Sequence, residues 1–386
     1  MSRALSIAVF FTIALTLTGL AHYYVWVRLV RDPGLGPSVT RALTAVLIGL
    51  YLSIPVTFLV ARNAGSGPLR ALIWVAFVWL GSLLLLLVVT LAMDLGRGLY
   101  LFGTRQLGGP GPVDPDRRQL LSRLLAGCAA LLAGGLGVAA IRSGLARVAV
   151  RELSVRLDRL PSELDGLTVV QLTDVHVGPT IQREFVEEIV ASVNALRADV
   201  VAITGDLVDG RVEELREHVA PLGRLSATYG VFFVTGNHEY YSGADEWCAE
   251  LGRLGIRVLR NERVPIGTAE ASFDLAGIDD HQAAQFGNGH GADLARALAG
   301  RDPSRELVLL AHQPRAVFEA RDRGVGLQLS GHTHGGQIWP WNFLVRLQQP
   351  VVSGLARFGS TLVYVSNGTG YWGPPMRLGA PAEITR

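Results

Sequence analysis

Metal-capable side chains follow five short apolar runs in the C-terminal part of this 386-residue chain. These five runs and two others have the length of buried strands, and the seven cover residues 167–172, 200–203, 231–234, 273–276, 307–311, 327–329 and 362–365. Helical patterns lie between several of them, at residues 182–196, 212–225 and 289–299, which predicts an α/β domain. Ligands bind at the carboxyl ends of the strands in such domains, so we expect these side chains to meet in one crevice. They are Asp174, His176, Asp206, Asp209, Asn237, His238, Glu239, His312, His332 and His334.

The donor set contains carboxylates, an amide and imidazoles, and it contains no thiolate. Such donors suit Mn, Fe, Zn or a similar divalent ion and disfavour a structural zinc site built from cysteines. They are too many for one ion and about the right number for two ions that share a carboxylate. Each side chain alone is more typical of a helix cap, a turn or a core histidine. Five such strand ends together favour two divalent metal ions.

The order and spacing of these motifs resemble the calcineurin-like metallophosphoesterases. The motifs are Asp174-x-His176, Gly205-Asp206-x-x-Asp209, Gly236-Asn237-His238-Glu239, His312 and Gly331-His332-x-His334. The longer strings Gly236–Gly243, Gly331–Gln337 and Ser366–Leu378 further resemble the membrane-associated subgroup with transmembrane segments. Some members of that subgroup are implicated in cleaving the UDP-diacylglucosamine intermediate of lipid A synthesis.

The resemblance covers roughly Leu167 to the C-terminus and implies two packed mixed β-sheets flanked by helices, a four-layer sandwich. It also implies a ligand set for each ion. One ion would take Asp174, His176, Asp206 and His334. The other would take Asp206, Asn237, His312 and His332, so that Asp206 bridges the pair.

Two residues are expected to act in catalysis, Asp206 as the bridging carboxylate and His238. His238 would contact the phosphoryl group and assist the leaving oxygen. Metal ions lower the pKa of water toward neutrality, and the resulting hydroxide would attack phosphorus in line. Asp209 and Glu239 are candidates for orienting imidazoles or loops, and a purely structural role stays open for both and for Gln337.

Four apolar runs in the N-terminal part are long enough to cross a bilayer, which takes about 20 residues. They cover roughly residues 4–30, 42–60, 69–93 and 120–141. A cleaved signal peptide does not explain the first run, because its apolar core is too long and three more runs follow. A soluble bundle would show charged helix faces. We therefore predict an all-α membrane domain of four transmembrane helices in residues 1–148, followed by the α/β domain in residues 149–386.

The composition agrees with an integral protein of the plasma or inner membrane. Hydrophobic residues make up 49% of the chain and charged residues only 18%, where about a quarter is usual. No charged residue lies deep in the four runs, which favours an anchor over a transporter. The net charge of +2 gives no reason to expect a nucleic-acid partner. The arginines around the spans divide evenly between the two sides. A cluster after the last span nevertheless favours a cytoplasmic catalytic domain, and it comprises Arg142, Arg147, Arg151, Arg156 and Arg159.

These observations predict a membrane-anchored hydrolase of a phosphate ester, phosphodiester or pyrophosphate. A lipid-linked substrate, such as one of the UDP-diacylglucosamine type, is expected because the anchor holds the domain near the bilayer, which would place the enzyme in lipid metabolism. Two alternatives stay open: a non-catalytic metal-binding membrane sensor or scaffold, and a four-helix transporter with a regulatory domain.

Ordinary surface positions are expected for His22, His218, His281 and His290. For Trp339, Trp341 and Phe343, a packing role is favoured slightly over contact with a bilayer or an acyl chain.

Overall fold

A computed structural model describes residues 3–60, 68–106 and 114–386. The chain forms two compact units. The first comprises residues 1–142 with 373–376, and the second comprises residues 143–372 with 377–386.

The first unit contains four helices, among the residues described, that are long and apolar enough to cross a membrane. The helices are α1 (Arg3–Trp26), α2 (Pro37–Val60), α3 (Pro68–Gln106) and α4 (Pro115–Gly144). The first candidate span, Phe11–Arg31, includes the π-helical turn Val27–Arg31 that follows α1. Three of them begin at a proline, which lacks the N–H that a first helical turn leaves unpaired. Helix α3 has 39 residues and is about 58 Å long, nearly twice the thickness of a bilayer core. It therefore continues well beyond the apolar run that predicts it.

His22 lies in α1 and is buried, so its expected place at the surface is wrong. Its Nδ1 lies 2.8 Å from the carbonyl oxygen of Thr18, and its Nε2 accepts a hydrogen bond from Nε1 of Trp79 at 2.8 Å. In an apolar bundle both ring nitrogens must find partners within the protein, and these two contacts supply them.

The second unit is built on two six-stranded mixed sheets. The first sheet has the order β1-β12-β2-β3-β4-β5 and the second β10-β11-β9-β8-β7-β6. Strands β2, β3, β4 and β5 run parallel, as do β7, β8, β9 and β11. The strands are β1 (Ala149–Arg151), β2 (Val169–Leu172), β3 (Val200–Ile203), β4 (Val231–Phe233), β5 (Arg257–Val258), β6 (Glu262–Gly267), β7 (Ser272–Gly277), β8 (Leu307–Leu310), β9 (Leu327–Ser330), β10 (Gly354–Phe358), β11 (Thr361–Val365) and β12 (Glu383–Thr385).

Helices cover the outer faces of both sheets, and the alternation of side chains along each strand separates the layers. Val201 and Ile203 of β3 enter the core shared with α5 (Arg183–Ala195) and α6 (Val212–Val219). Val200 and Ala202 enter the core between the sheets. The predicted four-layer architecture is thereby confirmed. The α-helices are α5 (Arg183–Ala195), α6 (Val212–Val219), α7 (Asn237–Ser242), α8 (Ala244–Arg253), α9 (Leu294–Ala297), α10 (Val317–Ala320) and α11 (Asn342–Val345).

The helix predicted over residues 289–299 is shorter than expected, since only α9 forms there. Gly289 and Gly291 take φ values of 75° and 153°, which lie outside the helical region. Asp293 then caps the short helix, because its side chain accepts a hydrogen bond from the amide of Arg296. Seven predicted strands are present, and the strands that the apolar runs do not indicate are β1, β5, β6, β10 and β12.

Candidate metal centre

The candidate ligands follow the carboxyl ends of five strands. In the first sheet, the parallel strands β2, β3 and β4 lead into the segments 174–176, 205–209 and 236–239. In the second sheet, the parallel neighbours β8 and β9 lead into His312 and the turn 331–334. Because parallel neighbours end at the same edge, each sheet delivers its own set of donors to one rim.

An unusual backbone shape supports this rim. Nine non-glycine residues have a positive φ among those described, and five of them are candidate ligands. Left-handed backbone is uncommon outside glycine and persists only where the surrounding structure holds it, often at functional sites. The five residues are Asp174, His176, Asp206, His332 and His334.

The first donor group comprises Asp174, His176 and His334, whose ligand atoms lie within 4.8 Å of one another. The Nε2 atoms of the two histidines are 3.0 Å apart, and Nε2 of His334 lies 3.4 Å from Oδ1 of Asp174. All three residues are buried. Two ring nitrogens and a carboxylate oxygen that converge in this way suit one divalent cation.

The second donor group comprises Asp206, His312 and His332, again within 4.8 Å of one another. Nε2 of His312 lies 3.1 Å from Oδ2 of Asp206 and 3.2 Å from Nδ1 of His332. On the other side of its ring, Nδ1 of His312 lies 2.8 Å from the carbonyl oxygen of Thr204. This backbone contact sets the ring orientation and leaves Nε2 directed into the site.

Asp206 also connects the two groups. Its Oδ2 lies 4.0 Å from Nε2 of His176 in the first group, while it contacts His312 of the second group. A further close set contains His176, Asp206 and His238. The structure thus places His238 beside the candidate ligands.

Asn237 offers a test of whether a metal fits here. The residue is buried, and its Oδ1 has no hydrogen-bond partner. A buried carbonyl oxygen without a partner is costly, whereas a divalent cation accepts such an oxygen as a ligand. The donor chemistry and this unpaired atom therefore fit the metal set that the sequence predicts.

Asp209 holds two imidazoles with one oxygen. Its Oδ1 lies 3.0 Å from Nδ1 of His176 and 2.6 Å from Nδ1 of His238. Burial raises the pKa of the Asp209 carboxyl, but the two neighbouring imidazoles outweigh burial and lower it. An ionised carboxylate at this point fixes both rings and leaves their Nε2 atoms directed toward the metal centre.

Glu239 organises the loop that carries Asp206. Its carboxylate accepts hydrogen bonds from the backbone amides of Asp206, Leu207 and Gly236, at 3.0, 2.7 and 2.6 Å. All three of these hydrogen bonds come from backbone amides, so Glu239 supports the loop itself. Burial, together with the charge of Asp206, raises the pKa of Glu239 to about 7.

Two imidazoles are neutral in the folded chain at pH 7. Burial lowers the pKa of His332 to about 3, and the charge of His312 adds to this effect. Burial likewise lowers the pKa of His334 well below its usual value, followed by the charges of His176 and Arg377. Neutral imidazole is the form that binds a metal, so these two rings need lose no proton to become ligands.

Arg377 is a neighbour of the site that the sequence motifs do not single out, although it lies in the Ser366–Leu378 string. Its guanidinium is fully buried and donates to the carbonyl oxygens of Gly370, Ala380 and Asn367. It also lies 3.4 Å from Nδ1 of His334. Burial lowers its pKa to about 10, so it stays charged at neutral pH. The residue fastens the 366–380 loop against the back of a candidate ligand.

Asp280 and Gln313 form a second support for the candidate ligands. Nε2 of Gln313 lies 3.1 Å from both carboxylate oxygens of Asp280, and its Oε1 accepts from Gln349. Gln313 follows His312 directly, so this network fixes the segment that presents the imidazole. The only sequence signal was the position of Asp280 just after a strand, where a turn residue is the commoner explanation.

Aromatic side chains surround His238 at the open side of the centre. The rings of Tyr241 and Trp372 meet the His238 ring edge-on, with centroids 5.4 and 5.5 Å away. Gln337 secures Trp372, since its amide both donates to and accepts from the Trp372 backbone at 3.0 Å. The Trp372 side chain is half exposed, and it forms part of the rim that a bound molecule would meet.

Two further expectations are wrong. His290 is not an ordinary surface residue, because its side chain is only 8% exposed and its Nδ1 lies 2.7 Å from the guanidinium of Arg260. Nor do the aromatic residues after the histidine turn pack into the core. Trp339, Trp341 and Phe343 are 48%, 50% and 56% exposed.

A family model and several known proteins are similar to this chain. The family model described as calcineurin-like phosphoesterase matches residues 167–336. A Bos taurus protein named transmembrane protein with metallophosphoesterase domain is 36% identical over 95% of this chain and 86% of its own length. An uncharacterized metallophosphoesterase of Campylobacter jejuni is 31% identical over 97% of this chain and 96% of its own length.

Among solved structures, a 5'-nucleotidase precursor from Thermus thermophilus is similar with 15% identity and a TM-score of 0.36, over 57% of this chain and 54% of that one. The two curated relatives match nearly the whole chain, including the region of the apolar helices, at more than 30% identity. The chain is a membrane protein with a metal-dependent phosphoester hydrolase domain, and it belongs to the calcineurin-like metallophosphoesterase family.

Proposed function

We propose that this protein is a membrane-anchored, two-metal phosphoesterase that hydrolyses a lipid-linked phosphodiester or pyrophosphate. Residues 1–148 would serve as the anchor and residues 149–386 as the catalytic domain. The proposal depends chiefly on one observation: two donor groups lie side by side, and Asp206 of the second group is 4.0 Å from His176 of the first. A single ion would use only one of these groups, so the presence of both favours two ions.

One ion would be held by Asp174, His176, Asp206 and His334, and the other by Asp206, Asn237, His312 and His332. When bound, two divalent ions supply positive charge at the phosphoryl oxygens and lower the pKa of water to provide a nucleophile near neutral pH. The protein contributes a largely buried setting in which such charges act strongly.

His238 would protonate the leaving oxygen from its Nε2. Its Nδ1 is engaged by Asp209 at 2.6 Å, and its Nε2 faces Asp206 at 3.9 Å. Burial lowers the pKa of His238, but the carboxylates of Asp206 and Asp209 outweigh burial and raise it to about 9. In the metal-free chain the imidazole therefore carries a proton at neutral pH, as a general acid must.

A lipid-linked substrate is supported by the four apolar helices, which hold the catalytic unit at a bilayer. The aromatic rim at Trp372 and Tyr241 offers apolar contact beside the reacting groups. We further propose that the catalytic domain faces the cytoplasm, on the basis of the arginine cluster after the last span. A reporter that is active only in the cytoplasm, fused to the C-terminus, tests this placement. Activity of the reporter would support a cytoplasmic catalytic domain, and its absence would contradict one.

The experiment that tests the activity uses the full-length chain in detergent with a generic aryl phosphodiester, with and without Mn. The wild-type protein should hydrolyse the phosphodiester only when Mn is present. Asp206→Ala should lose turnover while its circular dichroism spectrum stays unchanged, and Asp158→Ala, at a side chain that is 89% exposed, should behave like wild type. Turnover by Asp206→Ala equal to wild type would refute the mechanism. Metal binding without hydrolysis of any phosphate ester would instead support a sensor or scaffold.

The substrate class needs its own comparison. A lipid of the UDP-diacylglucosamine type in mixed micelles should be cleaved faster than a soluble UDP-sugar, whose pyrophosphate is likewise esterified at both ends. If the soluble compound is cleaved as well as the lipid, the two-metal chemistry stands and the lipid-linked substrate is wrong.

A further inference from the structure

Five large apolar side chains stand exposed on the second unit directly after the histidine turn. Their exposed fractions run from 48% to 81%. A soluble surface rarely presents so many large apolar groups within a short segment, and such patches mark sites of interaction. We call them the aromatic ridge: Trp339, Trp341, Phe343, Leu344 and Leu347.

The ridge is held in place by defined hydrogen bonds. The amides of Trp341 and Phe343 donate to the carbonyl oxygens of Ile338 and Pro340, at 2.9 and 3.1 Å. Helix α11 continues this turn. At its far end the buried Gln349 accepts from the amide of Arg315 and donates to Gln313. The apolar side chains are therefore exposed on a segment whose backbone is fixed by hydrogen bonds.

The charged residues of the segment that carries the ridge all have one sign. No aspartate or glutamate occurs between Asp322 and Glu383, although 33 carboxylates in 386 residues would place about five in a stretch of this length. Arg346, between two ridge residues, and Arg357, on the edge strand β10, are both exposed. A surface with exposed arginines and no carboxylates in its own segment complements a negatively charged partner.

We propose that the aromatic ridge rests in the headgroup region of an anionic lipid bilayer. Tryptophan favours that region because its ring is apolar and its N–H is polar. Arginine beside it gains from anionic headgroups and extends its charge to the interface. The four apolar helices of the same chain tether this unit to a bilayer.

A second copy of the chain fits the ridge less well. In a twofold interface the same patch meets itself, so Arg346 and Arg357 would face their own counterparts without a carboxylate from this segment between them. Like charges placed together oppose association. The charge of the segment therefore favours lipid over self-association.

The test places a nitroxide on the ridge of the full-length chain in nanodiscs. Cys128→Ala and Cys248→Ala remove the native thiols, and Leu347→Cys carries the label. A matched label at Glu217→Cys on α6, where the side chain is 81% exposed, reports an ordinary aqueous surface. The measurement is the ratio of collisions with oxygen, which dissolves in lipid, to collisions with a water-soluble nickel chelate.

In discs of phosphatidylcholine with phosphatidylglycerol, this ratio should be severalfold higher at position 347 than at position 217. Arg346→Glu with Arg357→Glu should lower the ratio at 347 toward the aqueous value, since each arginine near an anionic surface contributes roughly fivefold in affinity. Equal aqueous ratios at both positions in anionic discs would overturn the proposal. So would dipolar broadening at 347 in detergent without lipid, which would identify a second copy as the occupant. Neither readout depends on phosphoesterase activity.

Discussion

Oδ1 of Asp209 lies 2.6 Å from Nδ1 of His238, and the same oxygen lies 3.0 Å from Nδ1 of His176. One carboxylate thereby orients both a candidate metal ligand and the candidate general acid. The two functions are joined through a residue that contacts neither ion in the proposed set. A change at Asp209 should consequently affect metal binding and proton transfer together.

Asp209→Asn should lower kcat/KM by about 10- to 100-fold, the usual cost of losing a support of this kind. It should also lower the pKa of His238, because a carboxylate that raises it is gone. A general acid is active below its pKa, so the basic limb of the pH–rate profile should move to lower pH.

The measurement is the pH dependence of kcat/KM on an aryl phosphodiester with saturating Mn. Asp158→Asn, at an exposed aspartate, serves as the control and should keep the wild-type profile. A lower rate with an unmoved basic limb would show that Asp209 does not act through His238.

Gly331→Ala should abolish metal binding at the first donor group. A Cβ at this position would lie 2.1 Å from Oδ2 of Asp174 and 2.1 Å from Oγ1 of Thr173, so the carboxylate must move. Gly252 in α8 has open space around it, and Gly252→Ala should bind metal normally and fold at least as stably. Isothermal titration with Mn distinguishes the two variants, and full affinity in Gly331→Ala would show that Asp174 is no ligand.

Asn237 supplies a test by conservative rescue. Asn237→Ala removes the unpaired Oδ1 and should weaken one of two Mn binding events by about 10-fold or more. Asn237→Asp keeps an oxygen at the same position and should restore much of the affinity. If alanine and aspartate bind Mn as wild type does, the amide serves the fold alone.

Arg377→Met should destabilise the catalytic unit and weaken metal binding. The loss leaves several buried carbonyl oxygens without a donor, at a cost of about 1–3 kcal/mol for each group. Arg377→Lys keeps the charge but cannot reach the same set of carbonyls in a fixed plane, so it should recover only part of the stability.

Thermal unfolding of metal-free protein, with Mn affinity measured separately, separates these effects. Arg156→Met, at a side chain that is 93% exposed, is the control. Wild-type Mn affinity in Arg377→Met at a temperature where it is folded would assign Arg377 to stability alone.

Much of this architecture was predictable from short-range sequence features. Hydrophobic runs of strand length indicated the seven strands of the two sheet centres, because buried strands have no polar face to interrupt them. The missed strands are short or lie at sheet edges. Of these, β1 is exposed throughout, and in β10 half-buried and exposed side chains alternate, so their formation depends on neighbours that are distant in sequence.

The candidate site likewise contains residues that the local sequence indicates and contacts that depend on distant parts of the chain. Asp174, His312 and His334 are identifiable because their types and order repeat a family pattern. Arg377 and the Asp280–Gln313 contact are long-range relations that local sequence does not encode. The exposure of Trp339 and Trp341 is also decided by tertiary structure, since a tryptophan in a sequence is as consistent with a core as with a surface.

The most direct test of the central claim is electron paramagnetic resonance of the full-length protein titrated with Mn. The account predicts a spin-coupled pair at two equivalents of Mn in wild type, and isolated Mn in Asp206→Ala because the shared carboxylate is gone. A spectrum of isolated ions only, at every Mn ratio in the wild-type protein, would contradict a dinuclear centre at Asp206.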